Sequence, residues 1–441
     1  MPIQSPDRWT FLLALCFVTP AIAEDSQPEQ WAIHGQTTFV EQAHTAFHSG
    51  GIRGPQSLDP AGRGNETWDV TLYLGFRPWK GGEIWLNPEI DQGFGVSNTL
   101  GVAGFLSGEA YKIGQRDPYY KMQRGFFRQT FDLGGETESI DPDLNQLGAS
   151  RTSNRAVVTV GKYSVVDIFD TNKYAHDPRG DFLNWSIIDL GSFDYAADAW
   201  GYTYGATVEW YQDWWTIRTG VFDGSLTPNN ISLDNRLFSQ FQWVTEFEER
   251  HTIGNQQGKL KFLAFLTRAR LGSYNQATAI ALATGTPANI AATRDYRSRY
   301  GFGLNLEQAL TEDIGLFARV GWSSGDTEAY DFTDISQSAS IGLSFSGKRW
   351  NRPDDTLGAA FALNNLSRQG QNFLNAGGLG VLVGDGSLPH PGLEQIFEVY
   401  YSLAAFKYTH VTADYQFVNN PAYNTQRGPV SAFAVRLHAE F

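Results

Sequence analysis

Long stretches of this chain alternate apolar and polar residues with a period of two. The C-terminal stretch does so most plainly. From Ser431 to Phe441 one set reads Ser, Phe, Val, Leu, Ala, Phe and the other Ala, Ala, Arg, His, Glu. That is the signature of a strand with one greasy side. Its length suits the roughly 9–11 residues that cross a bilayer at a tilt. A patterned strand at a chain end needs a partner, and the first alternating stretch, 31–39, is the candidate.

The same alternation predicts strands at 68–77, 84–91, 123–133, 154–164, 197–211, 213–224, 236–250 and 257–270. It continues at 296–310, 312–325, 336–348, 355–367, 394–405, 407–418 and 430–441. With the first stretch this makes about sixteen, an even number as bacterial barrels require. Pro78–Gly82, Gln212–Asp213, Leu310–Glu312 and Ala405–Lys407 read as tight turns. They alternate with long segments at 92–122, 165–195, 271–295 and 368–393. The fold class this predicts is all-β, a transmembrane antiparallel barrel with short periplasmic turns and long extracellular loops. One connection, 134–153, is too long for a periplasmic turn, and the pattern does not explain it. Trp200 to Trp210 is expected to span the apolar band: ten steps of ~3.3 Å, tilted by about 40°, rise roughly 25 Å and set one tryptophan at each interface. A soluble sandwich also alternates, but its strands average about 5–6 residues.

Composition agrees. Aromatics at 14%, 46 glycines and only 18% charged residues in 441 suit a turn-rich β protein. A net charge of -14 excludes nucleic-acid binding by bulk charge. A mean hydropathy of -0.32 argues against a helical membrane protein. Arg8, the apolar run Trp9–Val18 and the small-x-small site Ala21–Ala23 predict a signal peptide at 1–23 and a barrel domain at 24–441. Cleavage there removes Cys16, the one cysteine. The barrel then has no disulfide and rests on its hydrogen-bond ladder.

In such a barrel the apolar set meets lipid and the polar set lines the lumen. On the last strand Phe433, Val435, Leu437 and Phe441 fall to lipid, with Arg436 and His438 on the pore side. Parity gives further lumen candidates: Arg124, Arg128, Glu209, Arg218, Gln240, Gln242, Arg299, Glu307, Arg319, Glu398, His410 and Asp414. Acids and bases together suit hydroxyl-rich solutes, and Tyr73, Trp85, Tyr400 and Tyr408 have the parity to stack on sugar rings. For any single one the plainer reading, a solvated wall residue, is favoured, because most pore-wall changes only tune selectivity. The segment 165–195 has no alternation but carries Phe169, Tyr174, Phe182, Leu183 and Trp185. Folding inward would bury these and present Asp170, Lys173, Arg179 and Asp181 as a constriction; the alternative is a loop packed at the outer rim.

Three strings resemble the OprB-type carbohydrate-selective porins: GKYSVVDIFDTNKY at 161–174, DYAADAWG at 194–201, and NPAYN at 420–424 followed by RGPV at 427–430. The resemblance runs over essentially the whole mature chain. It implies a sixteen-stranded outer-membrane channel that passes glucose and related sugars passively, with an arginine-bearing constriction. It also implies that Phe441 is the signal read by the barrel-insertion machinery. Carbohydrate solutes and outer-membrane lipid are then the expected partners, with no cofactor and no nucleic acid. Whether one barrel or a homotrimer works is open at this level.

Other chemistries lack their residues. Gly377–Gly386 is not spaced as a nucleotide loop, no H-E-x-x-H or C-x-x-C pair offers a metal site, and no G-x-S-x-G elbow supports a barrel hydrolase. Ser26–Gln30 is too short to be the plug of an energised transporter. A general porin with weak cation preference, drawn from the net acidity, is the competing channel reading.

Overall fold

The computed structural model describes residues 28–111, 114–234, 236 and 239–441; the signal-peptide reading of 1–23 falls outside them. The strands are β1 Trp31–His44, β2 Gly64–Phe76, β3 Gly82–Gly93, β4 Gln115–Ile140, β5 Ala149–Tyr163, β6 Thr203–Gln212, β7 Trp215–Asp223 and β8 Phe241–Ile253. They continue as β9 Gln256–Leu271, β10 Asp295–Ala309, β11 Ile314–Ser323, β12 Gln337–Ser346, β13 Thr356–Asn365, β14 Glu394–Phe406, β15 Thr409–Asn419 and β16 Val430–Glu440. Each pairs antiparallel with its sequence neighbours, and β1 closes on β16. Closure leaves no open sheet edge in the barrel wall, which is what lets strands cross a bilayer. No helix among the described residues is long and apolar enough to do so.

The seam joins the two predicted strands. Gln36 faces Glu440, Thr38 faces His438 and Val40 faces Arg436. Thr38 Oγ1 and His438 Nδ1 lie 3.0 Å apart across it. The faces separate as alternation requires: Phe433, Val435 and Leu437 are 52, 54 and 46% exposed, whereas Arg436 and His438 are 1 and 7% exposed. An outward belt of Ile33, Leu72, Leu86, Val208, Phe302, Val320, Ile341 and Phe397 continues around the barrel. Apolar outside with buried charge inside is the inverse of a soluble core, and it marks the outer wall as lipid-facing.

Two expectations are corrected. β6 begins at Thr203, so Trp200 belongs to the preceding loop, where Lys121 Nζ sits 4.1 Å from its ring centroid. Tyr204, 56% exposed, takes the outer-interface position opposite Trp210. The connection 134–153 is not a loop either. β4 and β5 run on together as a two-stranded ribbon, and the turn between them is only 141–148.

The interior is filled by the extracellular loops. The connection 164–202 descends into the lumen and buries Phe169, Phe182, Leu183 and Trp185; Tyr174 is half-buried. Lumen-facing carboxylates anchor its backbone. Glu246 Oε2 accepts from Asp170 N at 2.8 Å, Glu307 Oε2 from Lys173 N at 2.9 Å, and Glu398 from Leu183 N at 2.5 Å and Asn184 N at 3.0 Å. A loop folded inside has no water for its amides, so each needs such a partner. Glycine on the inner wall makes the room: a Cβ on Gly303 or Gly321 would collide with Leu190, and one on Gly315 with Tyr174. Tyr73, Trp85 and Tyr400 are inward, each under 3% exposed. Tyr400 packs edge-on against Phe182, with ring centroids 4.9 Å apart. Tyr408 is not inward; it sits in a periplasmic turn, 45% exposed.

Candidate functional site

With the loops packed against β8–β16, open space remains along the β2–β7 wall. A periplasmic cavity of about 1000 Å³ is bordered by Tyr73, Arg77, Glu83, Arg128, Arg155, Glu209 and Arg218. An outer cavity of about 120 Å³ is bordered by Tyr111, Trp185, Tyr195, Trp200, Tyr202 and Phe332. Both are lined by Arg124, Asp167, His176, Asp177 and Arg179, which therefore form the junction between them.

Arg124 comes from β4 and the other four from the inward loop. Arg124 meets Asp167 side-on, Nε to Oδ2 at 2.7 Å and Nη2 to Oδ1 at 2.6 Å. Its guanidinium carbon also lies 5.1 Å from the centroid of the Tyr202 ring. Asp167 is fixed in turn by accepting from Ser164 N at 2.9 Å. The Arg179 Nη2 lies 3.3 Å from Glu109, 3.5 Å from Glu89 and 3.7 Å from Asp69. The Gln36 amide, oriented with its oxygen toward them, accepts from Arg179 Nε at 3.1 Å and Tyr73 Oη at 2.6 Å. His176 Nδ1 stands 3.5 Å from Asp189 Oδ1. Asp181 holds this turn together, its Oδ2 accepting from His176 N at 3.0 Å and Asp177 N at 3.2 Å. Burial raises the Asp181 carboxyl above its ordinary value.

The residues expected at the pore divide by place. Arg124 and Arg179 stand at the junction. Arg128, Glu209 and Arg218 border the periplasmic cavity. Arg128 Nη1 donates to Asn145 O at 2.9 Å, and Arg218 reaches Glu209, Glu246 and Glu248 at 3.1, 2.8 and 2.9 Å. Asp181 acts behind the junction, as a brace for the turn. Asp170 and Arg319 border neither cavity. They pair with each other at 3.1 Å, both side chains 1% exposed, and fasten the loop to β11. Lys173 is exposed and also borders neither cavity. Of Asp170, Lys173, Arg179 and Asp181, the four loop residues expected at a constriction, only Arg179 borders the two cavities, and the loop residues that border both with it are Asp167, His176 and Asp177.

Sequence reasoning passed over Asp167, His176 and Asp177 at the junction. It also passed over Asp69 and Glu89 behind Arg179, although both lie on the polar side of their strands by parity. Among the described residues no group of His, Cys, Asp and Glu could hold a metal ion.

In fold the chain is similar to OprB of Pseudomonas putida. It matches the high-pH structure with a TM-score of 0.71 and 13% identity, covering 93% of this chain and 94% of that one. The low-pH structure matches with a TM-score of 0.51 and 9% identity, covering 93% of each. Among curated protein sequences nothing matches. The family model described as "Carbohydrate-selective porin, OprB family" matches residues 55–441. Barrel, inward loop and this match together identify a channel of the bacterial outer membrane, and the chain belongs to the OprB family of carbohydrate-selective porins.

Proposed function

We propose that small neutral sugars such as glucose diffuse passively from the outer cavity, past the five-residue junction, into the periplasmic cavity. The observation that carries this reading is the junction itself. Arg124, Asp167, His176, Asp177 and Arg179 set donors and acceptors at fixed positions along one route, beside the aromatic wall of Trp200 and Tyr202. Hydroxyl groups both donate and accept, so a sugar can exchange water for these groups without leaving a charge unpaired. Each arginine there already has carboxylate neighbours, so an uncharged solute brings no charge for either to neutralise.

In the same reading residues 1–23 direct export and Phe441 engages the insertion machinery. Phe441 joins the seam strand, its N donating to Gly35 O at 3.0 Å.

Single-channel recording with titrated glucose tests the proposal. Glucose at millimolar levels should block the current in a saturable manner. A current indifferent to glucose, together with glucose uptake no faster than that of a same-sized anionic sugar, would sink it.

A further inference from the structure

The outer wall at β9–β11 carries a feature that sugar passage does not use. An apolar groove of about 360 Å³ opens on the lipid-facing side between Phe262, Ala264, Phe302, Leu304, Val320 and Trp322. It exists because Ala264 stands opposite Phe302 in the register, with Phe262 opposite Leu304 one row below. The small alanine leaves a depression among bulky neighbours. Phe302 and Trp322 stack at its upper edge, centroids 6.4 Å apart with 12° between planes. Exposed Trp243, Tyr300 and Trp322 mark the outer interface on this side.

Above this girdle β9 points two arginines outward. Arg268 and Arg270 share the outward parity of Phe262 and Ala264, and both are exposed. Arg268 lies four residues beyond Ala264, ~13 Å along the strand and about 10 Å up the tilted wall. Its guanidinium carbon lies 5.8 Å from the centroid of the Tyr296 ring, and Tyr296 faces Arg270 in the register. Among the described residues neither guanidinium forms an ion pair with a carboxylate. Arg236 of the neighbouring loop adds a third cation beside Tyr296, itself matched by Asp234 at 3.1 Å.

Unmatched arginines facing the bilayer at headgroup height call for an anion, and a guanidinium fork fits phosphate oxygens. The groove below them fits acyl chain. We propose that this face binds a phosphorylated, multiply acylated glycolipid of the outer leaflet, with phosphate on Arg268 and Arg270 and an acyl chain against Ala264 and Val320. The site lies outside the barrel and is independent of the solute route.

Native mass spectrometry of the folded barrel in detergent, mixed with purified lipid A, tests it. Wild-type protein should retain lipid A, and R268Q/R270Q should retain it about tenfold less, the loss expected when charge-assisted contacts to phosphate are removed. Enzymatically dephosphorylated lipid A should bind wild type as weakly as lipid A binds that variant. A264W, which fills the groove and keeps both arginines, should also weaken retention. Heat-modifiable gel migration and an unchanged single-channel conductance check that each variant is folded. Equal retention by wild type and R268Q/R270Q, or equal retention of the dephosphorylated lipid, would overturn the proposal. So would a wild-type dimer without lipid that A264W dissociates, because the groove would then be an interface between copies.

Discussion

Arg124 and Asp167 face each other through two hydrogen bonds, at 2.7 and 2.6 Å, where the two cavities meet. The pair joins the barrel wall to the inward loop and sets charge on the lining that the two cavities share. Removing one member leaves the other uncompensated. Asp167→Asn should therefore shift selectivity toward anions and Arg124→Gln toward cations. A change of about 1 kcal/mol in the barrier difference corresponds to roughly a fivefold change in permeability ratio. Zero-current potentials across a salt gradient measure it. Shifts of the same sign in both variants would move the selectivity-setting charge elsewhere.

Glu398 anchors the loop from the opposite wall, accepting from Leu183 N and Asn184 N. Glu398→Ala would leave both buried amides without partners, at about 1–3 kcal/mol for each. Barrel strands do not depend on that contact, so the expected loss is local. The segment 164–202 should become cleavable by protease in the folded barrel, with noisier and larger conductance. Unaltered protease resistance would mean that the loop is held elsewhere.

His176 gives the junction a pH dependence. Burial opposes the charged ring, but the Asp189 carboxyl, 3.5 Å from Nδ1, outweighs it. The His176 pKa is therefore held above its ordinary value of 6.5. A raised folded-state pKa contributes stability that is fully present below 6.5 and is lost as pH rises through the raised value. The charge on the route follows the same window: cationic below it, neutral above. Anion permeability should thus fall as pH rises through this range in wild type and stay flat in His176→Gln. A matching slope in the variant would assign the titration to another group.

Legibility in the sequence followed periodicity. Ser431–Phe441 and Trp31–Phe39 announced both the seam and its faces, because one residue of slip in a two-sided wall would turn arginine into lipid. The turns, the long loops and Arg124 on the inner side came from the same rule. What lacked a period was not legible. The loop 164–202 crosses the lumen with no repeat, so composition said that it packs but not which polar side chains meet the solute. Asp170 turned to Arg319 on the wall, whereas Asp167 turned to Arg124 on the route. That difference depends on contacts across the barrel that no local pattern encodes. Trp200 was drawn into β6 because its parity continued through the loop end.

Neighbouring positions on β16 separate lipid from lumen. Val435→Arg sets a charge into hydrocarbon near mid-membrane and should cost roughly 2–4 kcal/mol. From alternation alone, an arginine at Ala434 would be expected mainly to alter conductance. The structure changes that expectation, because Ala434 is buried in one cluster with Val40 and Leu183. Ala434→Arg should overpack this cluster, cost about 1–3 kcal/mol and loosen the loop at Leu183. Urea unfolding in lipid vesicles, followed by protease mapping of 164–202, distinguishes the two variants. Global destabilisation without loop exposure is expected for Val435→Arg, and loop exposure for Ala434→Arg; the reverse would contradict the assignment of faces.

The ribbon formed by β4 and β5 past Asp132 accounts for the connection that alternation left unexplained. Its turn, 141–148, folds back over the periplasmic cavity and contributes Asp143, Leu144, Asn145, Gln146 and Leu147 to the lining. Hydrogen bonds from the barrel and the N-terminal segment hold it there. Arg128 Nη1 donates to Asn145 O at 2.9 Å, Arg77 Nη2 to Gly148 O at 3.4 Å, and Gly148 N to Glu29 Oε2 at 2.6 Å. A segment tied across an exit narrows it without touching the junction. Ending β4 at Asp132 and β5 at Asn154, with a two-residue turn between them, should therefore raise single-channel conductance. The glucose concentration giving half-block should be unchanged. Conductance equal to wild type would show that the junction alone limits flow, and weakened glucose block would place part of the sugar site on the ribbon.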